Sequence, residues 1–322
     1  MAVSFILEYN KILILKELNK KTHRFMFLII ISNGWFLYLH FFFNQSKLFV
    51  AVILLFTIRR ELQCREENRE KNLKYYLINY GFIVFAVGIA PYFIFFILIY
   101  IFQDCRFRNL FKANNIKIYG VAILWFIVQN FLFILYPSLI IDFLRGIEKP
   151  TGSSRVNLVF YLKEWVILSS YYLALFTFIS ILVLSIFTLI LIFNYKLHLE
   201  EKFSYFAIIY LLIGTYSNYS HVLALLALML LLFIPHLKKQ NKGIYFIRKN
   251  KILLIGLLSA VLLSFMIPEN IIFKYLSNLQ EFPYIIFVNL RYIIFLSILI
   301  NTLFILSLNK RNKNIDNIEK EI

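Results

Sequence analysis

The sequence predicts an all-α fold, a polytopic transmembrane helix bundle of about eight to nine spans without a soluble domain. The first observation is composition: 61% of the 322 residues are hydrophobic and 16% are charged, whereas a soluble domain is about 45–50% apolar and about 25% charged. The second is arrangement, because the apolar residues form long uncharged runs, as a bilayer-spanning helix requires. On these grounds we do not expect a soluble globular protein.

The predicted spans come from uncharged runs within an expected transmembrane domain, residues 25–308. A span needs about 20 apolar residues, and most runs are long enough. The run at 48–58 is short and requires tilt or snorkelling side chains at its ends to count as a span. In chain order the runs are 25–46, 48–58, 75–103, 118–141, 165–195, 203–237, 252–268 and 292–309.

The two ends of the chain differ from this pattern. Residues 1–24 mix basic residues such as Lys11 and Lys16 with apolar ones such as Phe5. The basic residues follow the apolar ones, so a cleaved signal peptide is not expected. The segment is predicted to be a cytoplasmic interfacial amphipathic helix, and residues 309–322 are predicted to form a charged cytoplasmic tail.

The run 203–237 is too long for one span. As a single helix it would extend about 52 Å at 1.5 Å per residue, against a hydrocarbon core of about 30 Å. A polar cluster at 214–221 lies near its middle. We expect a break into two short helices there; the alternative is one helix with a polar belt that faces other helices or a cavity.

Charge bears on topology and partners. Lys and Arg number 34 against 17 Asp and Glu, a net charge of +17. Basic residues collect in the cytoplasmic loops of membrane proteins and lie against anionic lipids, so we expect membrane lipids and no nucleic acid as partners. Loops 59–74 and 104–117 are both basic but are separated by one span, which leaves the side of loop 142–164 open.

Several catalytic motifs are missing from the sequence. It contains no G-x-x-x-x-G-K-[ST] phosphate loop, no H-E-x-x-H and no G-x-S-x-G, so none of those chemistries is predicted. The spacing of Cys64 and Cys105 matches no metal site. No Asp or Glu lies inside a long apolar run, which disfavours ion-coupled carriers. We expect no metal and no cofactor.

Two arginines in the turn-rich loop 142–155 are candidate substrate-binding residues. Gly146, Pro150 and Gly152 interrupt a helix there, so the loop is expected to fold back. Arg145 and Arg155 could each bind phosphate oxygens bidentately, because the guanidinium is planar and permanently charged. The alternative is a solvated connector.

Two further polar residues occur near or within apolar runs. His221 lies beside hydroxyl groups and could accept a proton near neutral pH; alternatively, this cluster forms hydrogen bonds between helices. Arg291 stands between apolar stretches and either binds an anion or reaches the membrane surface.

Two segments together resemble the O-antigen polymerase/ligase superfamily. The first is GSSRVNLVF at 152–160, which leads into the run from Trp165, and the second is LLIGTYSNYSHVLALLAL at 211–228. The similarity covers residues 140–235. The chain departs from the pattern because Tyr219 and His221 stand where an Arg usually follows the Ser, and because the later loop, 268–282, is short.

The resemblance implies a multi-pass protein of the bacterial inner (cytoplasmic) membrane that transfers glycosyl groups from a polyprenyl-diphosphate-linked oligosaccharide in surface polysaccharide polymerisation. Arg145 and Arg155 would bind the diphosphate, with Arg291 as a third candidate, and His221 would be the catalytic base. No metal or nucleotide is implied, and other polysaccharide-assembly proteins are expected partners. The alternatives are a permease subunit or transporter that exports a lipid or glycan, and a non-catalytic membrane assembly protein.

Overall fold

The computed structural model of the chain describes residues 2–32, 46–89, 94–103, 113–131, 135–136, 138, 170–194, 197–213, 219–238, 251–264, 294 and 297–302. In these ranges every regular element is helical, which confirms the all-α prediction. The helices are α1 (Ala2–Leu15), α2 (Lys20–Ile31), α3 (Ser46–Glu66), α4 (Leu73–Ile89), α5 (Ile94–Phe102), α6 (Ala113–Gln129), α7 (Ser170–Phe193), α8 (Leu199–Ile213), α9 (Tyr219–Leu231), α10 (Ile234–Lys238) and α11 (Lys251–Ser264).

The predicted membrane-spanning helices are not found. Within the described ranges no helix is both long enough and apolar enough to cross a bilayer. This finding contradicts the predicted transmembrane bundle and the predicted location as a multi-pass protein of the inner membrane.

The apolar runs overestimated helix length because a run records only the absence of charge. The run 75–103 contains the end of α4 at Ile89 and the start of α5 at Ile94. The short run 48–58 belongs to α3, whose second half carries Arg59, Arg60 and Glu61. Helix α5 begins and ends inside one run, α4 ends inside the same run, and α3 continues into charged sequence, so these three helices lack the uniform apolar length that a span needs.

The N-terminal helix packs along α3. The apolar residues of its buried face are Phe5, Tyr9, Ile12 and Leu13, which recur at helical spacing. After α1 the chain turns at Glu17, which has a φ of 50°, and α2 begins with Asn19 accepting a hydrogen bond from Thr22 N at 2.8 Å, as an N-cap residue does. The predicted interfacial role of 1–24, like the domain limits at 24 and 308, stays a prediction.

The long run 203–237 is divided, as expected. Helix α8 ends at Ile213 and α9 begins at Tyr219, which confirms the break. The two helices pack on each other, and Ser204 Oγ lies 2.6 Å from the carbonyl oxygen of Leu228. This contact fixes α8, the helix whose first turn reaches the site described below.

Aromatic rings fill the core between α5 and α8. Phe96 meets Phe206 edge to face with ring centroids 4.8 Å apart and Phe203 at 5.2 Å, an arrangement that rings favour because of their quadrupoles. All three side chains are fully buried. This packing holds α5 against α8, and Gln103, directly after α5, and Leu199, at the beginning of α8, both line the site described below.

Candidate anion-binding site

The side chains of the substrate-binding and catalytic residues expected from the sequence lie outside the described part of the chain. Arg145, Arg155 and Arg291 lie outside the described residues. His221 is described as part of the α9 backbone, between Tyr219 and Leu231, and its side chain lies outside the description. The roles assigned to these four residues therefore stay predictions.

A different group of polar residues surrounds a cavity of about 420 Å³. It lies between the C-terminal end of α3, the loop after it, the end of α5 and the beginning of α8. We call it the α3–α8 pocket. Its lining consists of Glu61, Cys64, Arg65, Asn68, Arg69, Lys71, Gln103, Leu197, His198 and Leu199.

The way that α3 ends brings its basic residues to one side. Asn68 has a φ of 49°, the left-handed conformation that ends many helices. The amide of Arg69 donates to the carbonyl oxygen of Cys64 at 2.9 Å, and the amide of Asn68 donates to that of Arg65 at 3.4 Å. This Schellman-type turn reverses the chain, so Arg69 and Lys71 line the same pocket as Arg65.

Helix α8 begins at the opposite wall. The amide of His198 donates to Glu201 Oε2 at 2.9 Å, the reciprocal contact by which a Glu in the first turn stabilises a helix start. This start places His198 and Leu199 in the lining. Glu200 follows directly and turns inward, where 4% of its surface is exposed.

The pocket lining is cationic. Arg65, Arg69 and Lys71 face the cavity against one carboxylate, Glu61. Each cation also contacts a carboxylate. Arg69 Nε lies 2.6 Å from Glu67 Oε2, but Arg69 is 73% exposed, and such surface pairs contribute only about 0–1 kcal/mol. Arg69 can therefore exchange its partner for a bound anion at little cost.

Glu61 is held by three donors. Lys71 Nζ lies 2.6 Å from Oε1, Tyr75 OH donates to Oε2 at 2.8 Å, and Gln103 Nε2 lies 3.3 Å from the same oxygen. Burial, and next the negative charge of Glu61, raise the pKa of Tyr75 far above its usual value. Tyr75 therefore stays a neutral donor, and the Glu61 carboxylate is fixed in the pocket wall.

Glu200 is held differently. Its Oε1 accepts from Lys16 Nζ at 2.5 Å and from Arg65 Nη2 at 3.0 Å, whereas Oε2 is buried without a hydrogen-bond partner among the described residues. Burial acts to raise the pKa of Glu200, but the charges of Lys16 and Arg65 outweigh it and lower the pKa below 4.5. Glu200 is thus a buried anion at neutral pH.

The remaining titratable lining residues are Cys64 and His198. Burial, and next the charge of Glu61, raise the pKa of the Cys64 thiol, so Cys64 is a poor nucleophile at neutral pH. His198 is exposed at the start of α8. Across the ranges described, no group of three or more His, Cys, Asp or Glu side chains is placed to hold a metal ion.

Sequence reasoning did not find this pocket. Its α3 side lies in the segment 59–74, which contains six basic and four acidic residues and was interpreted as a basic loop of a membrane protein. That density of mixed charge after an apolar stretch was the available signal. The contribution of His198 and Glu200 had no local signal, because Glu200 lies 135 residues after Arg65.

Comparison of the chain with known protein families, with characterised proteins and with solved structures gives no match.

Proposed function

We propose that the chain binds the diphosphate of a polyprenyl-diphosphate-linked oligosaccharide in the α3–α8 pocket and transfers the glycosyl group to an acceptor hydroxyl. The observation that carries the proposal is the convergence of Arg65, Arg69 and Lys71 on one cavity of about 420 Å³. Small-molecule sites typically enclose about 300–1,000 Å³. The substrate class comes from the sequence resemblance, and the pocket supplies cations suited to a diphosphate.

The three cations suit different parts of a diphosphate. An arginine offers two parallel N–H donors that match two oxygens of one phosphate group, so Arg65 and Arg69 can each bind one phosphate. Lys71 acts as a point charge, anchored by Glu61 at 2.6 Å. A ligand carrying at least two negative charges offsets the net positive charge of the lining, so the pocket favours diphosphate over a neutral sugar.

The transfer step requires stabilisation of a departing diphosphate. The acceptor oxygen forms a bond to the anomeric carbon, and the bond between that carbon and the diphosphate oxygen breaks. The diphosphate leaves with the electron pair, and its growing charge is stabilised by the preorganised cations, the usual source of such catalysis. The acceptor proton passes to a base. His198 is the base we assign, since the oxygens of Glu61 already accept from other donors; His221, Arg145, Arg155 and Arg291 remain sequence-based candidates for further contacts.

Binding is tested by titrating the purified full chain with inorganic pyrophosphate in a calorimeter. Arg69→Ala and Lys71→Ala are each expected to weaken binding about tenfold, because one charge-assisted hydrogen bond contributes about 1.5–3 kcal/mol. Arg24→Ala is the matched control, since Arg24 is exposed on α2 and does not line the pocket. Absence of binding by the wild-type chain, or an equal loss in the control, would overturn the proposed site.

Transfer is tested with a short polyprenyl diphosphate that carries a radiolabelled disaccharide, used as both donor and acceptor. The expected products are a tetrasaccharide on the lipid and a free polyprenyl diphosphate. His198→Asn should lower the rate about 10²–10⁴-fold, the usual contribution of a general base, while His23→Ala on α2 should not. Pyrophosphate binding without any transfer would leave an anion-binding protein and contradict the enzymatic part of the proposal.

A further inference from the structure

We infer that Glu200 is a positioning residue that sets the affinity of the α3–α8 pocket for anions by competing with the ligand for Arg65. The inference rests on the anion-binding part of the proposed function and does not depend on glycosyl transfer. Glu200 does not itself line the pocket. The inference arises because the guanidinium of Arg65 has two environments, the pocket and the contact with Glu200.

Arg65 belongs to both environments. It lines the pocket, and its Nη2 lies 3.0 Å from Glu200 Oε1. Its side chain is 33% exposed, whereas that of Glu200 is 5% exposed, so the carboxylate holds the guanidinium from the interior side. A guanidinium has five N–H donors in a fixed plane. Because Nη2 is engaged by Glu200, a phosphate that binds a pair of donors including Nη2 competes with Glu200 for the guanidinium.

Lys16 weakens this competition, because it contacts the same carboxylate as Arg65. Its Nζ lies 2.5 Å from Oε1, the same oxygen that Arg65 uses. Two cations therefore share one carboxylate oxygen, while Oε2 is buried without a partner among the described side chains. When Lys16 neutralises part of the Glu200 charge, the carboxylate holds Arg65 less firmly.

Two opposite effects follow from this geometry. Removing the charge of Glu200 frees Arg65 for the ligand and should tighten anion binding. Removing Lys16 leaves Arg65 as the main counter-ion of a buried carboxylate and should weaken binding. A merely structural role would give a different result, because loss of either partner of an ion pair would then loosen the pocket and weaken binding in both variants.

Lys16 also connects the pocket to the N-terminal helix. It follows α1 directly, and its amide donates to the carbonyl oxygen of Ile12 at 3.0 Å. If a bound anion draws Arg65 away from Glu200, Lys16 becomes the principal partner of that carboxylate. Occupation of the pocket should therefore strengthen the attachment of α1, because coupling between two contacts is reciprocal.

The test compares pyrophosphate affinities of the full chain by calorimetry. Glu200→Gln should bind about tenfold more tightly and Lys16→Met about threefold more weakly than the wild type, effects within the range of electrostatic coupling between neighbouring sites. The controls are Glu66→Gln and Lys21→Met, which remove the same charges from exposed positions and should change the affinity less than about twofold.

A double-mutant cycle isolates the role of Arg65. In an Arg65→Met background, Glu200→Gln should no longer tighten binding, because the shared guanidinium is gone. Circular dichroism spectra establish that each variant is folded, and Lys16→Met tests the same carboxylate should Glu200→Gln fail to fold. Wild-type binding with weaker or unchanged affinity in Glu200→Gln would overturn this inference alone. Absence of binding in wild type and variants would overturn the proposed function and this inference together.

Discussion

The two carboxylates beside the α3–α8 pocket are held in contrasting ways. Glu61 uses both oxygens, with Lys71 on one and Tyr75 and Gln103 on the other. Glu200 uses one oxygen for both of its cations and leaves the other buried without a partner among the described residues. A carboxylate whose two oxygens both accept hydrogen bonds holds the side chains of the pocket wall in place. A carboxylate that binds both of its cations through one oxygen can exchange these partners more readily.

The largest expected effect is loss of Glu61. Glu61→Met removes the acceptor of Lys71 and Tyr75, and Tyr75 is buried, so its hydroxyl cannot regain a hydrogen bond from water. We expect the free energy of unfolding to fall by about 3 kcal/mol, since an unsatisfied buried group costs about 1–3 kcal/mol and a charged partner adds to it.

Urea denaturation measures this change. Glu66→Met is the matched control, because Glu66 is exposed on the same helix and surface substitutions usually stay within about 0.5 kcal/mol. A loss below about 1 kcal/mol in Glu61→Met would show that Glu61 does not fix the pocket wall.

Glu200→Met should lower the free energy of unfolding by less, about 1.5 kcal/mol, in the same urea denaturation assay. Its two partners, Lys16 and Arg65, are 18% and 33% exposed, so both can recover contacts with water. The substitution also removes Oε2, which is desolvated and has no hydrogen-bond partner in the described part of the chain, and replacing a buried charge by an apolar side chain offsets part of the loss. A larger loss of unfolding free energy in Glu200→Met than in Glu61→Met would contradict the proposed difference between the two carboxylates.

Tyr75→Phe measures the contribution of the neutral hydrogen bond to Glu61 separately from that of the Glu61–Lys71 ion pair. The variant removes the hydroxyl that donates to Glu61 Oε2 at 2.8 Å and that also hydrogen-bonds to Tyr100, and it leaves the contact with Lys71 in place. We expect a loss of about 1 kcal/mol in the free energy of unfolding. Tyr76→Phe, a neighbour outside this contact, is the comparison variant, and an equal loss in both would argue against a specific bond to Glu61.

The smallest expected effect is a pH dependence assigned to Glu200. The folded-state pKa of Glu200 lies below its usual 4.5, so the unfolded chain binds the proton more readily. The contribution of Glu200 to stability is therefore complete above pH 4.5 and is lost as the pH falls through the folded-state pKa.

The measurement is the free energy of unfolding of the wild type and of Glu200→Gln between pH 7 and pH 3. The difference between the two proteins should stay constant above about pH 5 and diminish below about pH 4.5. A difference that grows on acidification would mean that the cations do not hold Glu200 in its charged form.

The sequence predicted part of the fold for reasons that are local. Long apolar segments of helix-forming residues predicted helices, and the polar cluster at 214–221 predicted the division between Ile213 and Tyr219 that the structure has. The membrane spans were a wrong prediction, because absence of charge does not determine where a helix begins or ends. Ile89 and Ile94 lie in one uncharged run, yet they belong to different helices.

The site could be predicted only in part. The segment 59–74 shows its charge density in the sequence, and its cations could have been proposed as an anion site. The separate roles of Glu61 and Glu200 could not, because they depend on which side chains meet each oxygen. Arg145, Arg155 and Arg291, the arginines that sequence reasoning preferred, lie outside the described residues, so their roles remain predictions.

The amino-acid sequence by itself determined that the chain is helical, where it is apolar and where its charges are concentrated, because propensity and composition act over a few neighbouring residues. Only the tertiary structure decided that Lys16, Arg65 and Glu200 meet, across sequence separations of 184 and 135 residues. The physical reason is packing: α1 and α8 both lie against α3, and the burial of their apolar faces brings the charged ends of three helices to one point.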